Sequence, residues 1–166
     1  MGKKSKILYY SVLIVNILCF VLDLIPGLNF PFFRISFALS LILMGLMLIT
    51  RAVTHKLDSS FFIGVLTFLI GCLNMLLYFG DIYNFLTTIE IIPYYLFAVS
   101  LSGLLTCLYF KDKLQFKIFI LFLGFGIICL LFVKKLLILR WFIGLMIAWF
   151  VLYFITNLLI FKKRSR

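Results

Sequence analysis

The sequence predicts an all-α protein: a polytopic membrane protein, a bundle of about six transmembrane helices in a single integral membrane domain over residues 1–166. Three observations carry that prediction. Hydrophobic residues make up 66% of the chain and mean hydropathy is +1.27, outside the range of soluble domains. Charged residues, 13% of the total, gather between apolar runs instead of alternating with them. Residues 141–161, WFIGLMIAWFVLYFITNLLIF, hold no charge. As a helix that run is about 31 Å long, against a hydrocarbon core of about 30 Å. It also lacks the polar stripe of a solvent-facing helix.

Taken in order, the first helix is expected over residues 7–22, after Lys3, Lys4 and Lys6 and with Tyr9 and Tyr10 at the interface. It resembles a signal sequence, but Asp23-Leu24-Ile25-Pro26 follows where a small-residue cleavage site would stand, so it reads as an uncleaved helix. Asp23, Pro26, Gly27, Asn29 and Pro31 then break the chain. A second helix is expected over 32–50, with Arg34 near its start able to reach the headgroups. The loop 51–58 carries Lys56 and the single histidine, His55. A third helix follows over 60–79, and then a loop with Asp81 and Glu90 and no base. The fourth, 91–110, has Pro93 in its first turn, where proline is tolerated. The fifth, 114–133, has an uncharged part of only 16 residues, 118–133, so Lys117 must reach the headgroups or the helix crosses thin bilayer. The three bases Lys134, Lys135 and Arg140 after it are unexpected on the outer side and leave either a re-entrant hairpin with five spans or a function for those bases. Residues 134–140 lead into the sixth helix, and Lys162, Lys163, Arg164 and Arg166 close the chain.

Six crossings put both termini on one side. With that side cytoplasmic, Arg34, Lys134, Lys135 and Arg140 face outward and the other twelve of the 16 basic residues face inward. That is the asymmetry of the positive-inside rule. The net charge of +11 is therefore read as membrane anchoring, with the lipid bilayer as the partner and no nucleic acid. A partner membrane protein is a further expected partner. Poverty in alanine and wealth in Leu, Ile, Phe and Lys suit the plasma membrane of a low-GC bacterium, ahead of an ER membrane.

Candidate chemistry is sparse. Cys19, Cys72, Cys107 and Cys129 all lie inside apolar runs without metal-ligand spacing, so they read as small buried hydrophobes, and neither metal nor cofactor is expected. Asn16, Asn74 and Asn157 are the strongest polar groups in the spans, and each needs a partner there. Ala98, Ser102 and Thr106 recur every four residues, with Gly103 and Cys107 beside them. Gly144 and Ala148 repeat the spacing, and Gly64 and Gly71 share a face. Small residues so spaced form a helix-packing face. On the outer side, Arg34, Lys134, Lys135 and Arg140 are candidates for binding an anion or headgroup, and Asp23, Asp81 and Glu90 are the carboxylates that map there. No catalytic residue is assigned. The chain has no HExxH motif and no serine-nucleophile elbow.

Three function classes fit. The first is a non-catalytic membrane subunit that binds a small solute or lipid, or supports a transport or envelope complex. The second is a self-immunity or interaction protein against a membrane-active peptide. The third is a small membrane enzyme on lipid-linked substrates, which needs at least two of Asp23, Asp81, Glu90, Cys107 and His55 within hydrogen-bond reach. A solute-binding subunit needs Lys134, Lys135 or Arg140 to line a cavity.

Overall fold

A computed structural model describes residues 3–25, 32–79 and 88–164. Those residues form six helices: α1 Lys3–Asp23, α2 Phe32–His55, α3 Asp58–Phe79, α4 Thr88–Phe110, α5 Lys113–Val133 and α6 Leu139–Arg164. Among the described residues five stretches are long and apolar enough to cross a bilayer: Phe32–His55, Asp58–Phe79, Glu90–Phe110, Lys113–Val133 and Leu139–Thr156. Within α1 the apolar stretch is the shorter Tyr10–Asp23. Helix α5 runs unbroken through Gly124 and Gly126, so it is no re-entrant hairpin.

The helices outrun their apolar segments. Hydropathy marks where hydrocarbon ends, whereas a helix stops where its carbonyls find another partner. Thus α2 continues past Thr50 through Arg51 to His55, and the expected loop 51–58 shrinks to Lys56 and Leu57. Lys56 takes a left-handed backbone, φ 54°, and the Leu57 N–H turns back to the Ala52 carbonyl at 2.9 Å. The end of α5 is built the same way. Lys135 has φ 57°, its N–H donates to the Phe132 carbonyl at 2.9 Å, and the Leu136 N–H donates to Leu131 at 3.0 Å. Both are Schellman ends, with lysine in the position that glycine usually takes. Lys111, after α4, is left-handed too, φ 57°. Helix α4 starts at Thr88, so Pro93 falls in its second turn and not its first, and the proline is buried.

Side chains sort by size in the sense that lipid favours. Among the described residues the largest fully buried side chains are Thr106, Pro93 and Ser102; a few large ones such as Leu77 and Phe61 are also buried, but most, such as Leu108 at 67%, are exposed. In water, burying large apolar side chains would drive packing. Lipid tails are as apolar as leucine, so close contact of small residues takes over that role.

Contacts group the helices into two compact units, Met1–Tyr83 and Asn84–Arg166. In the first unit α1 packs on α2, and α2 on α3. The α2–α3 seam is backbone against backbone. A Cβ on Gly45 would stand 2.5 Å from the Phe68 nitrogen, one on Gly64 2.8 Å from the Ile49 nitrogen, and one on Gly71 2.8 Å from the Ile42 nitrogen. Ala38 and Ala52 are buried at seven residues either side of Gly45, and Gly64 and Gly71 are also seven apart. A seven-residue repeat keeps a seam facing its partner as two helices wind about each other.

In the second unit α4 packs on α5, and α5 on α6. A Cβ on Gly103 would lie 2.9 Å from the Gln115 carbonyl oxygen, and one on Gly126 2.8 Å from the Phe97 ring. The Ser100 hydroxyl donates to the Phe119 carbonyl at 3.1 Å. The indole of Trp149 covers Gly124, and its Nε1–H donates to the Leu121 carbonyl at 3.2 Å. Phe132 and Phe142 stack at 4.5 Å across the α5–α6 connection.

Candidate functional site

In the first unit a cluster of polar side chains joins α1 and α2. Asn16, three turns into α1, sits opposite Ser36 and Ser40, one turn apart on α2. Its amide donates to the Ser40 hydroxyl at 2.6 Å and to the Val12 carbonyl at 2.9 Å. The Ser36 hydroxyl donates to Asn16 Oδ1 at 3.0 Å, and the Ser40 hydroxyl to the Ser36 carbonyl at 2.7 Å. An amide placed in hydrocarbon needs such partners, and these tie the two helices together. The sequence reading singled out Asn16 but not the serines. Their four-residue spacing on an otherwise apolar helix was the available signal.

Asp23 closes the same helix pair. Its Oδ1 accepts from the Phe32 N–H at 2.8 Å and its Oδ2 from the Phe33 N–H at 3.0 Å. The first turn of a helix leaves amides unpaired and carries partial positive charge, so the carboxylate both satisfies and neutralises it. Asp23 thereby clamps the end of α1 to the start of α2.

Beside these bonds lies a groove of about 400 Å³, open along one side. Leu13, Ile17 and Phe20 form one wall and Phe37, Leu41 and Met44 the other, with Asn16 and Ser40 as its only polar lining. Leu13, Ile17, Phe20, Phe37 and Met44 are all exposed. Arg34, also exposed, is not part of the lining but precedes Phe37 by three residues and Leu41 by seven, which sets it at the edge of the groove on α2, at the Asp23 end.

The other expected site residues fall elsewhere. Lys134, the C-cap of α5, Lys135 beside it and Arg140 in the first turn of α6 are all exposed, and none lines this groove. Glu90 lies in the first turn of α4. Asp81 lies outside the described residues, as does the side chain of Asn157. His55 is exposed at the end of α2 in the first unit, whereas Cys107 belongs to α4 in the second. All four cysteines are free thiols. Among the described residues no group of three His, Cys, Asp or Glu stands close enough to hold a metal ion.

On α4, Ala98, Ser102 and Thr106 are buried together. The Ser102 hydroxyl donates to the Ala98 carbonyl at 2.7 Å and the Thr106 hydroxyl to the Ser102 carbonyl at 2.7 Å. Each polar group is satisfied by its own helix, which leaves a smooth face for packing. Gly144 and Ala148 differ: nothing lies within 4 Å of a Cβ placed on Gly144, and Ala148 is exposed. The sequence reading passed over Gln115. It is buried in the first turn of α5, and its Oε1 has no hydrogen-bond partner among the described residues.

These features fit one class, an all-α membrane protein with several helices able to span a bilayer. Comparison with known proteins takes the assignment no further. No protein-family model matches the chain, and neither a curated protein nor a solved structure gives a match.

Proposed function

We propose that the protein is a non-catalytic multi-pass membrane subunit that binds a lipid and supports a larger transport or envelope assembly. The observation that carries this reading is the α1–α2 groove: apolar walls, one amide–hydroxyl cluster already bonded, and a side open to the surroundings. Exposure of Lys134, Lys135 and Arg140 weighs against a solute cavity built on those bases. The bonding of both Asp23 oxygens to backbone amides weighs against its use as a catalytic acid or base.

The proposed setting is the plasma membrane, crossed six times, with both termini in the cytoplasm. The lysine-bearing turns at Lys56 and Lys111 then face the cytoplasm. A topology reporter fused at Ile138 should read outside; a cytoplasmic signal there would overturn the six-crossing arrangement. Function is tested by mass spectrometry of protein purified gently from its own membrane. A stoichiometric protein partner or a retained lipid supports the subunit reading. Protein that emerges with neither refutes it and moves the reading to the protective class.

A further inference from the structure

We infer that the α1–α2 groove is a specific seat for one anionic phospholipid, with the phosphate held by Arg34 and one acyl chain lying between the two helices. This inference rests on the lipid-binding reading above and names the lipid class, its orientation and the residue that selects it.

The groove has the depth of one leaflet. From Phe33 to Met44 the groove wall follows twelve residues of α2, about 16 Å at the rise of a helix. That is about half of a hydrocarbon core of roughly 30 Å, the depth of one leaflet. The groove begins where α2 begins, next to the Asp23 clamp, and ends near the middle of the helix. It therefore has the length and position of one acyl chain hanging from the interface. A soluble ligand has no reason to match that depth.

Charge supplies the second half. Arg34 is exposed at the shallow end, one turn before Phe37 and two turns before Leu41, at the edge of the lined face. A guanidinium offers paired donors in a planar fork that suits phosphate oxygens. Asp23 is close in the fold and carries the opposite charge, but both its oxygens accept from the backbone amides of Phe32 and Phe33. It thus acts as a counter-charge to the helix terminus, while Arg34 remains exposed at the same end. In the groove wall, Asn16 and Ser40 are already bonded to each other, so the chain meets a surface without an open donor.

The experiment uses the full-length protein, purified in mild detergent and exchanged into vesicles of phosphatidylglycerol and phosphatidylcholine with identical acyl chains. Retained lipid is counted by native mass spectrometry. Wild type should retain one phosphatidylglycerol and prefer it to phosphatidylcholine by about fivefold, the scale of one basic residue at a membrane surface. Arg34→Gln should abolish that preference while still retaining lipid, and Arg34→Lys should restore part of it. Leu41→Trp, which fills the groove, should reduce retention of both lipids. Unchanged preference in Arg34→Gln, or unchanged retention in Leu41→Trp, overturns the proposal. Retention of a small anionic solute in place of lipid, or closure of the groove by a second copy of the chain, overturns it as well. The broader reading fails separately, through a native purification that yields neither partner nor lipid.

Discussion

Replacing Gly45 by alanine should destabilise the protein, although the same change favours an isolated helix. A Cβ there would stand 2.5 Å from the Phe68 nitrogen and 2.7 Å from its Cα. Ordinary carbon contacts need about 3.5–4.0 Å, so α2 and α3 would have to part by roughly 1 Å. The obstacle is backbone, which cannot rotate away as a side chain could. A gap of that size removes a quarter to a half of the dispersion energy of each pair along the seam, and overpacking typically costs about 1–3 kcal/mol. Helix propensity returns at most about 1 kcal/mol. With backbone as the obstacle the cost falls in the upper part of the overpacking range, and the expected net loss is about 1–2 kcal/mol after the helix-propensity gain. Gly144→Ala is the matched control, because a Cβ there meets nothing within 4 Å. It should be neutral or up to about 1 kcal/mol more stable. Both variants can be measured by reversible unfolding in mixed micelles with increasing SDS, followed by circular dichroism. A Gly45→Ala protein as stable as wild type would refute the backbone-contact argument. Equal losses in both variants would show that substitution within a helix, and not the seam, governs the effect.

Three further outcomes follow from the same geometry. Asn16→Ala and Ser40→Ala should each destabilise the first unit, and their double-mutant cycle should give a coupling of about 0.6 kcal/mol, the average for hydrogen bonds between membrane helices; additivity would mean that the 2.6 Å contact contributes nothing. Lys135→Gly should relieve a left-handed backbone in the Schellman end of α5 and stabilise it by about 1 kcal/mol, read in the same unfolding assay; a loss would show that the lysine charge outweighs its backbone strain. Gln115→Met should raise stability by about 1 kcal/mol by removing a buried acceptor without a partner among the described residues, and a clear loss would reveal that Oε1 is bonded in the membrane.

Span-level features were legible in the sequence because lipid imposes them locally. A run such as residues 141–161 has one stable solution in a bilayer, whatever surrounds it. Helix ends were read less well. Arg51–His55 looks like a loop by hydropathy, but the helix runs on to His55 and is closed by the Leu57 N–H to Ala52 bond. Of the packing faces, Gly64 and Gly71 were recognised, whereas their counterpart Ala38, Gly45 and Ala52 was not, because a seven-residue repeat of small residues is thin in a helix full of leucine. Asp23 illustrates the limit most directly. Composition placed it correctly beside the break after α1, but its bonding to Phe32 and Phe33 depends on how the chain returns nine residues later. The groove is further still from the sequence, since it depends on which faces of α1 and α2 fail to touch.

The two tryptophans of the chain sit in different environments on one helix, Trp149 half-buried and Trp141 exposed. Trp149 lies over Gly124 with its indole bonded to the Leu121 carbonyl, and Trp141, two turns earlier, is 66% exposed. The α5–α6 hairpin therefore carries an internal optical gauge. Trp149 emission reports whether the hairpin is closed, and Trp141 reports what surrounds its connection. With Trp141→Phe in the background, a single native fluorophore would follow opening of that hairpin in real time, without a label and inside a lipid bilayer.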